Sequence, residues 1–288
     1  MTLALSPPRA AAPGQEAAGH EVWQRLQAEV IRPGLCTHCG LCVGLSGGAL
    51  TMQPSAQGPL PAPTLPEELR PVTLPPEAYL ACPGKGLNYP DLNDSLFGGP
   101  PPSWLAGHVR RCYLGYAADP AIRRAGASGG VITRTLLYLL EQGRIDGAVV
   151  VRQGIPHPCQ ASPVLAATPD EIRAASQSVY APVPVNALLD QMAAFDGVLA
   201  YVGLPDQVAA LRRLQQLGHP GACKVRYVLG PYVGTNLYGA AIESFLRANG
   251  VHSMDEVSEL RYRAGEWPGY LLVRTRDGRE LRAAKFHY

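Results

Sequence analysis

The chain has 288 residues, 47% of them hydrophobic and 17% charged, and its formal net charge is +2 at pH 7. Such a length can build one large or two modest hydrophobic cores, and so small a charge excludes the strongly basic class of nucleic-acid-binding proteins. No apolar run approaches the roughly 18 residues that a membrane span requires, so we expect no membrane-spanning helix.

The N-terminal region predicts a tail followed by a short helix. Residues 1–19 are rich in Ala, Pro and Gly, so we expect a disordered tail. They lack the basic segment that begins a signal peptide, so we expect no signal peptide. In residues 21–31, Val22, Leu26 and Val30 recur at helical spacing, which predicts a helix.

The most informative motif is CTHCGLC, which contains Cys36, Cys39 and Cys42. Three thiolates on one tight loop can bind three irons of a 4Fe–4S cluster. In the bacterial ferredoxin run C-x2-C-x2-C-x3-C-P the next ligand would stand four residues later, where this chain has Ser46. Cys82, which precedes a proline, is the natural replacement. The spacing therefore predicts a 4Fe–4S site with one distant ligand.

The segment between these ligands, residues 53–76, is rich in proline. This composition predicts a stiff extended excursion that forms no core of its own. A zinc site is the main alternative for the cysteines, although overlapping CxxCxxC spacing is tighter than the paired CxxC typical of zinc. Thiols that bind no metal are the second alternative.

The remaining cysteines, Cys112, Cys159 and Cys223, stand apart from one another and from the motif. Isolated cysteines usually behave as small buried hydrophobic residues, and that is what we expect here. A second cluster would need further thiolates at close spacing, so the sequence predicts one cluster. Seven cysteines without a disulfide framework favour a reducing, cytoplasmic location.

From residue 109 onward, short apolar runs alternate with amphipathic segments, which is the pattern of a βα-type fold. A helix is predicted to begin at residues 127–130 with Ser128 as its N-cap. The predicted strands are 148–151, 198–202 and 225–229, the further helices are 208–217 and 239–248, and a hairpin pairs 270–275 with 280–284. The fold class is therefore α/β: a small N-terminal iron–sulfur module over residues 20–102, then a mixed α/β domain over 103–288.

Three glycine-containing loops at helix starts or strand ends suggest one binding crevice. They are residues 128–130 (SGG), 203–207 (GLPDQ) and 230–236. Free N–H groups at a helix N-terminus can hold a phosphate, and glycine lets a ligand approach the backbone. Plain turns are the alternative. Neither GxGxxG after a strand nor a P-loop motif occurs, so a nicotinamide Rossmann site and a P-loop are not predicted.

Several segments resemble, in order, the coenzyme F420 hydrogenase/dehydrogenase beta-subunit family. They are CTHCGLC, ACPGKGLNYPDLN, GASGGVITRTLLYLLEQGRIDGAVVV, SQSVYAPVPV, YVGLPDQVAALR and RAGEWPGYLLVRTRDGRE. The resemblance runs from about residue 35 to the end. It implies an iron–sulfur flavoprotein in which FAD passes electrons between a 4Fe–4S cluster and an organic substrate, so that residues 103–288 would be the FAD-binding domain.

Carried over residue by residue, the resemblance implies two sets of ligands. The cluster would be bound by Cys36, Cys39, Cys42 and Cys82. The flavin site would contain Ser128, Gly129 and Gly130 at the FAD phosphates, and Ser178, Tyr180, Pro205, Gln207, Thr235 and Asn236 around the rest. No general acid or base is indicated, so the catalytic residues remain unassigned.

The leading functional hypothesis is an FAD- and iron–sulfur-dependent oxidoreductase, or its electron-transfer subunit, acting on a deazaflavin coenzyme or a related conjugated ring. Its expected partners are hydrogenase or dehydrogenase subunits, or ferredoxin, and not nucleic acid. One alternative is a ferredoxin-dependent reductase of a chlorophyll-type tetrapyrrole. Another is a non-catalytic electron-transfer or scaffold subunit.

Two departures from the family favour that last alternative. Relatives commonly read GLPCQ where this chain has Asp206, and a later FCG-like segment carries Val233 in place of the cysteine. Relatives also usually continue with another cysteine-containing segment, so we expect the chain to be truncated relative to them. Trp267, which precedes Pro-Gly at the start of the predicted hairpin, is expected to pack rather than stack on a substrate ring.

Overall fold

The structure, a computed structural model, describes residues 13–56, 58–234 and 236–284, with side chains from residue 19 onward. Within these residues no helix is both long and apolar enough to cross a membrane. The architecture is a mixed α/β fold with three sheets, of two, four and three strands. The α/β prediction is therefore confirmed.

The chain begins with helix α1 (Pro13–Leu26), which continues into a π-helical turn (Gln27–Ile31). The helix predicted over 21–31 is confirmed, but the predicted disordered tail is wrong for residues 13–19, which are helical. Trp23 and Leu26 are almost fully buried. Their burial anchors α1 on the N-terminal core and explains why the helix is stable beyond its weak apolar pattern.

The proline-rich segment differs from the predicted extended excursion, because it includes a strand of a hairpin, and it joins a core that it shares with α1. Strands β1 (Leu50–Gln53) and β2 (Leu60–Pro63) pair antiparallel. Prolines are tolerated in β2 because both strands of a two-stranded sheet are edges. Farther along, Val72 and Leu74 are buried against α1. The proline-rich segment thus folds back and covers part of the N-terminal core.

Three short helices complete this N-terminal part. They are α2 (Leu41–Gly44), α3 (Glu77–Leu80) and α4 (Tyr89–Phe97). Helix α2 begins within the cysteine motif and contains Cys42, and α3 ends two residues before Cys82. Both ends of the cysteine set are therefore held by helices.

The central sheet has strand order β4-β3-β5-β6. Strands β3 (Gly147–Gln153), β5 (Leu199–Val202) and β6 (Val225–Leu229) are parallel, and β4 (Ala161–Ala166) pairs antiparallel with β3. The three parallel strands were predicted, with ends that differ by one or two residues. The edge strand β4 was not.

Helices cover both faces of this sheet. They are α5 (Pro120–Ala125), α6 (Val131–Glu141), α7 (Pro169–Ala174), α8 (Leu189–Ala194), α9 (Pro205–Gln216) and α10 (Pro220–Cys223). Alternate strand residues point to opposite faces. Thus Ala200 packs with α6 and α7, whereas its neighbours Leu199 and Tyr201 pack with α8 and α9. Cys39 and Leu41 belong to this second core, which seats the cysteine loop on the α9 face of the sheet.

The C-terminal part is helix α11 (Gly239–Ala248) on an antiparallel sheet of β7 (Val257–Ala264), β8 (Tyr270–Thr275) and β9 (Glu280–Ala284). The bounds of α11, β8 and β9 agree with the sequence prediction. Strand β7 was not predicted. Ile242 and Leu246 of α11 pack against Val257, Leu260 and other residues of this sheet.

Candidate functional site

The four cysteines predicted as cluster ligands line one pocket. Cys36, Cys39, Cys42 and Cys82 lie around it, and none of them forms a disulfide. Most of the remaining wall is apolar: Leu26, Val30, Ile31, Leu41, Met52, Pro61 and Ala78. The return of the chain through α3 thus brings the distant fourth thiol to the other three.

Two glycines allow the close packing that shapes this pocket. Gly40, inside the motif, has φ +80°, and a Cβ there would lie 2.7 Å from the Cβ of Pro184. A Cβ on Gly84, just after Cys82, would lie 2.6 Å from the carbonyl oxygen of Leu35. Since these distances are far below van der Waals contact, only glycine fits at either position.

Burial keeps the thiols protonated when no metal is bound. It raises the pKa of Cys39 to about 12 and that of Cys42 well above its usual range, and the neighbouring cysteines add to both shifts. The pKa values of Cys36 and Cys82 are raised too, again mainly by burial. Metal binding at this site must therefore release protons, because thiolates are the ligands.

Four cysteine thiols are the ligand number of both a 4Fe–4S cluster and a structural zinc site. Among the described residues, no group of three or more His, Cys, Asp or Glu side chains is arranged to hold one metal ion. A zinc ion needs all its sulfurs within about 2.3 Å of one point. A cubane takes one cysteine per iron, so its four thiolates stand farther apart, around a larger volume.

A buried hydrogen-bonded residue, Asn186, connects the cysteine loop to the GLPDQ turn. Its backbone N–H donates to the carbonyl of Cys39 (2.9 Å), and its side-chain oxygen accepts from the hydroxyl of Tyr201 (2.7 Å). Its side-chain NH2 lies 3.4 Å from the carbonyl oxygen of Gln207. Asn186 and Tyr201 are fully buried. Sequence reasoning missed Asn186, although a lone amide in the apolar run PVPVNALL was a usable signal.

The GLPDQ turn begins α9, and its side chains face in different directions. The amide of Gln207 accepts from the N–H of Leu204 (3.0 Å) and donates to the carbonyl of Val183 (2.9 Å). Gln207 is only 4% exposed, so its side chain holds the turn together and faces the interior. Pro205 is exposed and Asp206 half-buried. The negative charge of Asp206 acts on the thiols of the cysteine loop, which places this turn beside the cysteine pocket.

Arg263 of β7, a residue that the sequence analysis missed, bonds to two segments that contain predicted flavin residues. One terminal nitrogen of its guanidinium donates to the hydroxyl of Tyr180 (2.9 Å), and the other donates to the carbonyl of Ala127 (2.8 Å), the residue before Ser128. The N–H of Leu237, next to Asn236, donates to the carbonyl of Tyr180 (2.8 Å). Arg263 therefore joins the segments around residues 127 and 180, and the segment around residue 237 is bonded to the second of these.

The start of α6 corrects one detail of the prediction. The helix begins at Val131, and its N-cap is Gly130 with φ +69°, whereas Ser128 was predicted as the cap. Ser128 is exposed and Ser178 half-buried. A left-handed glycine at this position lets the SGG loop turn directly into the helix. Thr235 lies outside the described residues.

The three other cysteines lie away from the pocket wall. Cys112 and Cys223 are exposed, so their predicted burial is wrong, while Cys159 is half-buried. Burial raises the pKa of Cys159 to about 11. Trp267 is 74% exposed, so the packing predicted for it is wrong as well.

Two family models match most of the α/β part of the chain. Residues 112–190 match the N-terminal model, and residues 196–287 the C-terminal model, of the family described as "Coenzyme F420 hydrogenase/dehydrogenase, beta subunit". The residues that line the cysteine pocket, which lie between 26 and 82, precede both matched regions.

Curated relatives are similar over part of their length. The coenzyme F420 hydrogenase subunit beta of Methanothermobacter thermautotrophicus is 28% identical over 147 residues, which are 49% of this chain and 52% of that protein. The beta subunit from Methanosarcina barkeri is 26% identical over 168 residues, 56% of this chain and 57% of that protein. The coenzyme F420-dependent sulfite reductase of Methanocaldococcus jannaschii is 37% identical over 90 residues, 31% of this chain and 14% of that protein.

A solved structure is also similar. A chain of the F420-reducing NiFe hydrogenase complex from Methanosarcina barkeri, studied by xenon derivatization, aligns with a TM-score of 0.47 and 25% identity over 61% of this chain and 63% of that chain. The chain spans about half the length of the two hydrogenase subunits described above. The family predicted from the sequence is confirmed by the two matched models: the chain belongs to the coenzyme F420 hydrogenase/dehydrogenase beta-subunit family, a family of oxidoreductase subunits.

Proposed function

We propose that this protein is an iron–sulfur flavoprotein that passes electrons between one 4Fe–4S cluster, FAD and a deazaflavin coenzyme. One observation carries the proposal. Cys36, Cys39, Cys42 and Cys82 converge in one largely apolar pocket, and Asn186 connects their loop to the turn that begins α9. The relatives described above, which carry F420 in their names, favour a deazaflavin over a tetrapyrrole.

The residues of the chain would divide the work between two places. The four thiolates would bind the cluster, and the apolar wall around them would limit access of water. The free N–H groups at the start of α6 would bind the FAD phosphates, with Gly129 allowing close approach. Tyr180 and Asn236 would lie along the rest of the flavin. Bound FAD supplies the conversion between a hydride pair and single electrons.

Asn186 would fix the cysteine loop relative to the turn that begins α9. It bonds to the cysteine loop at Cys39 and to β5 at Tyr201, and it lies against the backbone of α9 at Gln207. Because it is fully buried, water does not compete for these contacts. A rigidly held cysteine loop would keep the cluster in a fixed position for electron transfer. The protein would receive or deliver its electrons through a hydrogenase or dehydrogenase subunit, or a ferredoxin, in the reducing cytoplasm.

Asp206 supports a second candidate function, an electron-transfer or scaffold subunit without substrate turnover. This carboxylate occupies a half-buried position beside the cysteine pocket, where the resemblance led us to expect a cysteine. If catalysis in relatives needs a thiol there, this chain would transfer electrons without turning over substrate.

The test is an anaerobic titration of the reconstituted protein, followed by flavin and cluster absorbance. Reduced F420 should bleach the flavin, and chlorophyllide-type pigments should exchange no electrons with it. Electron exchange with the pigment alone would favour the tetrapyrrole reductase. A cluster that dithionite reduces in a protein that exchanges electrons with neither substrate would favour the scaffold role.

A further inference from the structure

Arg263 is a buried cation that lacks an anionic partner within the described part of the chain. The residue is only 7% exposed. None of the ion pairs formed within 4.0 Å among residues 13–56, 58–234 and 236–284 includes it. Buried charges in proteins are almost always paired, because removing an isolated charge from water is costly. A counter-charge is therefore expected from outside this set of residues.

The hydrogen bonds of Arg263 leave donors free for such a partner. A guanidinium has five N–H donors. Two of them bond to neutral acceptors, the hydroxyl of Tyr180 and the carbonyl of Ala127. The Nε atom is buried and has no hydrogen-bond partner. Three of the five N–H donors of Arg263, including that of Nε, therefore have no acceptor among the described residues.

The surroundings of Arg263 suit an anion. Ala127 leads directly into the loop before α6, whose first N–H groups have no partners within the helix and form its positive end. Gly269, which has φ +78°, lies beside the Nε atom of Arg263: a Cβ on this glycine would be 3.3 Å from Nε. The glycine thus leaves the Nε side free of any side chain at that position.

We infer that Arg263 binds a phosphate group of the ligand in this crevice, together with the N-terminus of α6. The inference rests on the proposed function for the identity of that ligand, FAD, but the anion site itself follows from the unpaired cation and the helix end. A fork of N–H donors matches phosphate oxygens, and arginine is the residue best suited to this. The alternative is a structural role, in which Arg263 only joins residues 127 and 180.

The experiment compares Arg263→Gln and Arg263→Lys with Arg261→Gln in the full-length protein. Arg261 lies on the same strand but is exposed and paired with Glu259, which makes it a matched control. Dissociation constants for FAD and for riboflavin, which has the same ring without phosphate, are measured by flavin fluorescence. Thermal melting is measured with and without inorganic pyrophosphate.

Arg263→Gln should weaken FAD binding by about tenfold to a hundredfold, the range expected for hydrogen bonds to a charged group, while riboflavin binding stays unchanged. Arg263→Lys keeps the charge but loses the fork, so it should show a smaller loss. Arg261→Gln should behave as wild type. Pyrophosphate should raise the melting temperature of wild type but not of Arg263→Gln.

Equal losses of FAD and riboflavin binding, or no loss of either, would overturn the phosphate role. If Arg263→Gln does not fold, Arg263→Lys carries the same comparison, and an unchanged ratio of FAD to riboflavin affinity would again reject it. A wild-type protein that binds no flavin, yet is stabilised by pyrophosphate only when Arg263 is present, would reject the FAD proposal and keep the anion site.

Discussion

At the scale of single residues, Cys82 decides whether the cysteine motif can bind a full cluster. It lies far along the chain from Cys36, Cys39 and Cys42, yet it lines the same pocket. Cys82→Ser should lose most of the cluster, because one iron loses its thiolate. Iron and sulfide assays after anaerobic reconstitution should give about four of each per chain in wild type.

Cys112→Ser is the matched control, because Cys112 is exposed and does not line the pocket. It should keep the full cluster. Wild-type values near eight irons per chain would instead point to a second ligand set. Full iron retention in Cys82→Ser would remove Cys82 from the proposed ligands.

Cys159 gives a prediction about pH. Burial raises its pKa to about 11, so at neutral pH it is almost entirely the unreactive thiol. Alkylation by iodoacetamide should therefore be slow at pH 7 and should accelerate as the pH rises toward 11. Exposed Cys112 and Cys223 should react first, as peptide mass mapping can show. Rapid labelling of Cys159 at pH 7 would contradict the burial seen here.

Asn186 and Tyr201 should be energetically coupled. Asn186→Ala leaves the hydroxyl of Tyr201 buried without its acceptor, which should cost about 1–3 kcal/mol in the free energy of unfolding. Adding Tyr201→Phe removes that unsatisfied hydroxyl, so the double variant should lose less than the sum of the two single variants. Denaturant unfolding of all four proteins measures this coupling. Strictly additive losses would show that the hydrogen bond contributes little.

At the scale of elements, the start of α6 depends on one glycine more than on the other. Gly130 has φ +69°, and a Cβ there would lie 2.7 Å from the carbonyl oxygen of Ile122. Gly130→Ala should therefore lower the free energy of unfolding by more than about 1 kcal/mol. Gly129→Ala places its Cβ 3.3 Å from the Cβ of Tyr116, a milder approach that a small backbone shift relieves, so its loss should be smaller. Equal losses would mean that the left-handed cap is not what fixes this helix start.

At the scale of the whole molecule, the cysteine loop and the central sheet share a core. Cys39 and Leu41 pack in the same cluster as Leu199 and Leu214. We therefore expect thermal unfolding to show one main transition, and removal of iron by a chelator should lower its temperature, because the bound cluster stabilises only the folded state. Calorimetry with and without chelator measures this. Two transitions, of which iron shifts only one, would show that the two parts unfold independently.

The sequence by itself determined the elements that local pattern controls. The apolar runs of β3, β5 and β6, the amphipathic pattern of α11 and the hairpin of β8 and β9 could be located, because each depends on residues close in the chain. It also identified the cysteine motif and the family. Strand β4 was missed because Pro163 interrupts it, which only an edge strand tolerates. Strand β7 was missed although Leu260, Tyr262 and Ala264 alternate with charged residues at the period of a strand.

Only the tertiary structure decided which distant residues meet. The sequence indicated Cys82 by its following proline, but the fold of α3 and the proline-rich segment brings it to the pocket. The hydrogen-bond partners of Asn186 and Arg263 could not be predicted, since they lie on other elements of the fold. Arg263 reaches a carbonyl 136 residues away. Such contacts depend on how helices and sheets pack, and packing is a property of the whole chain that local sequence patterns do not contain.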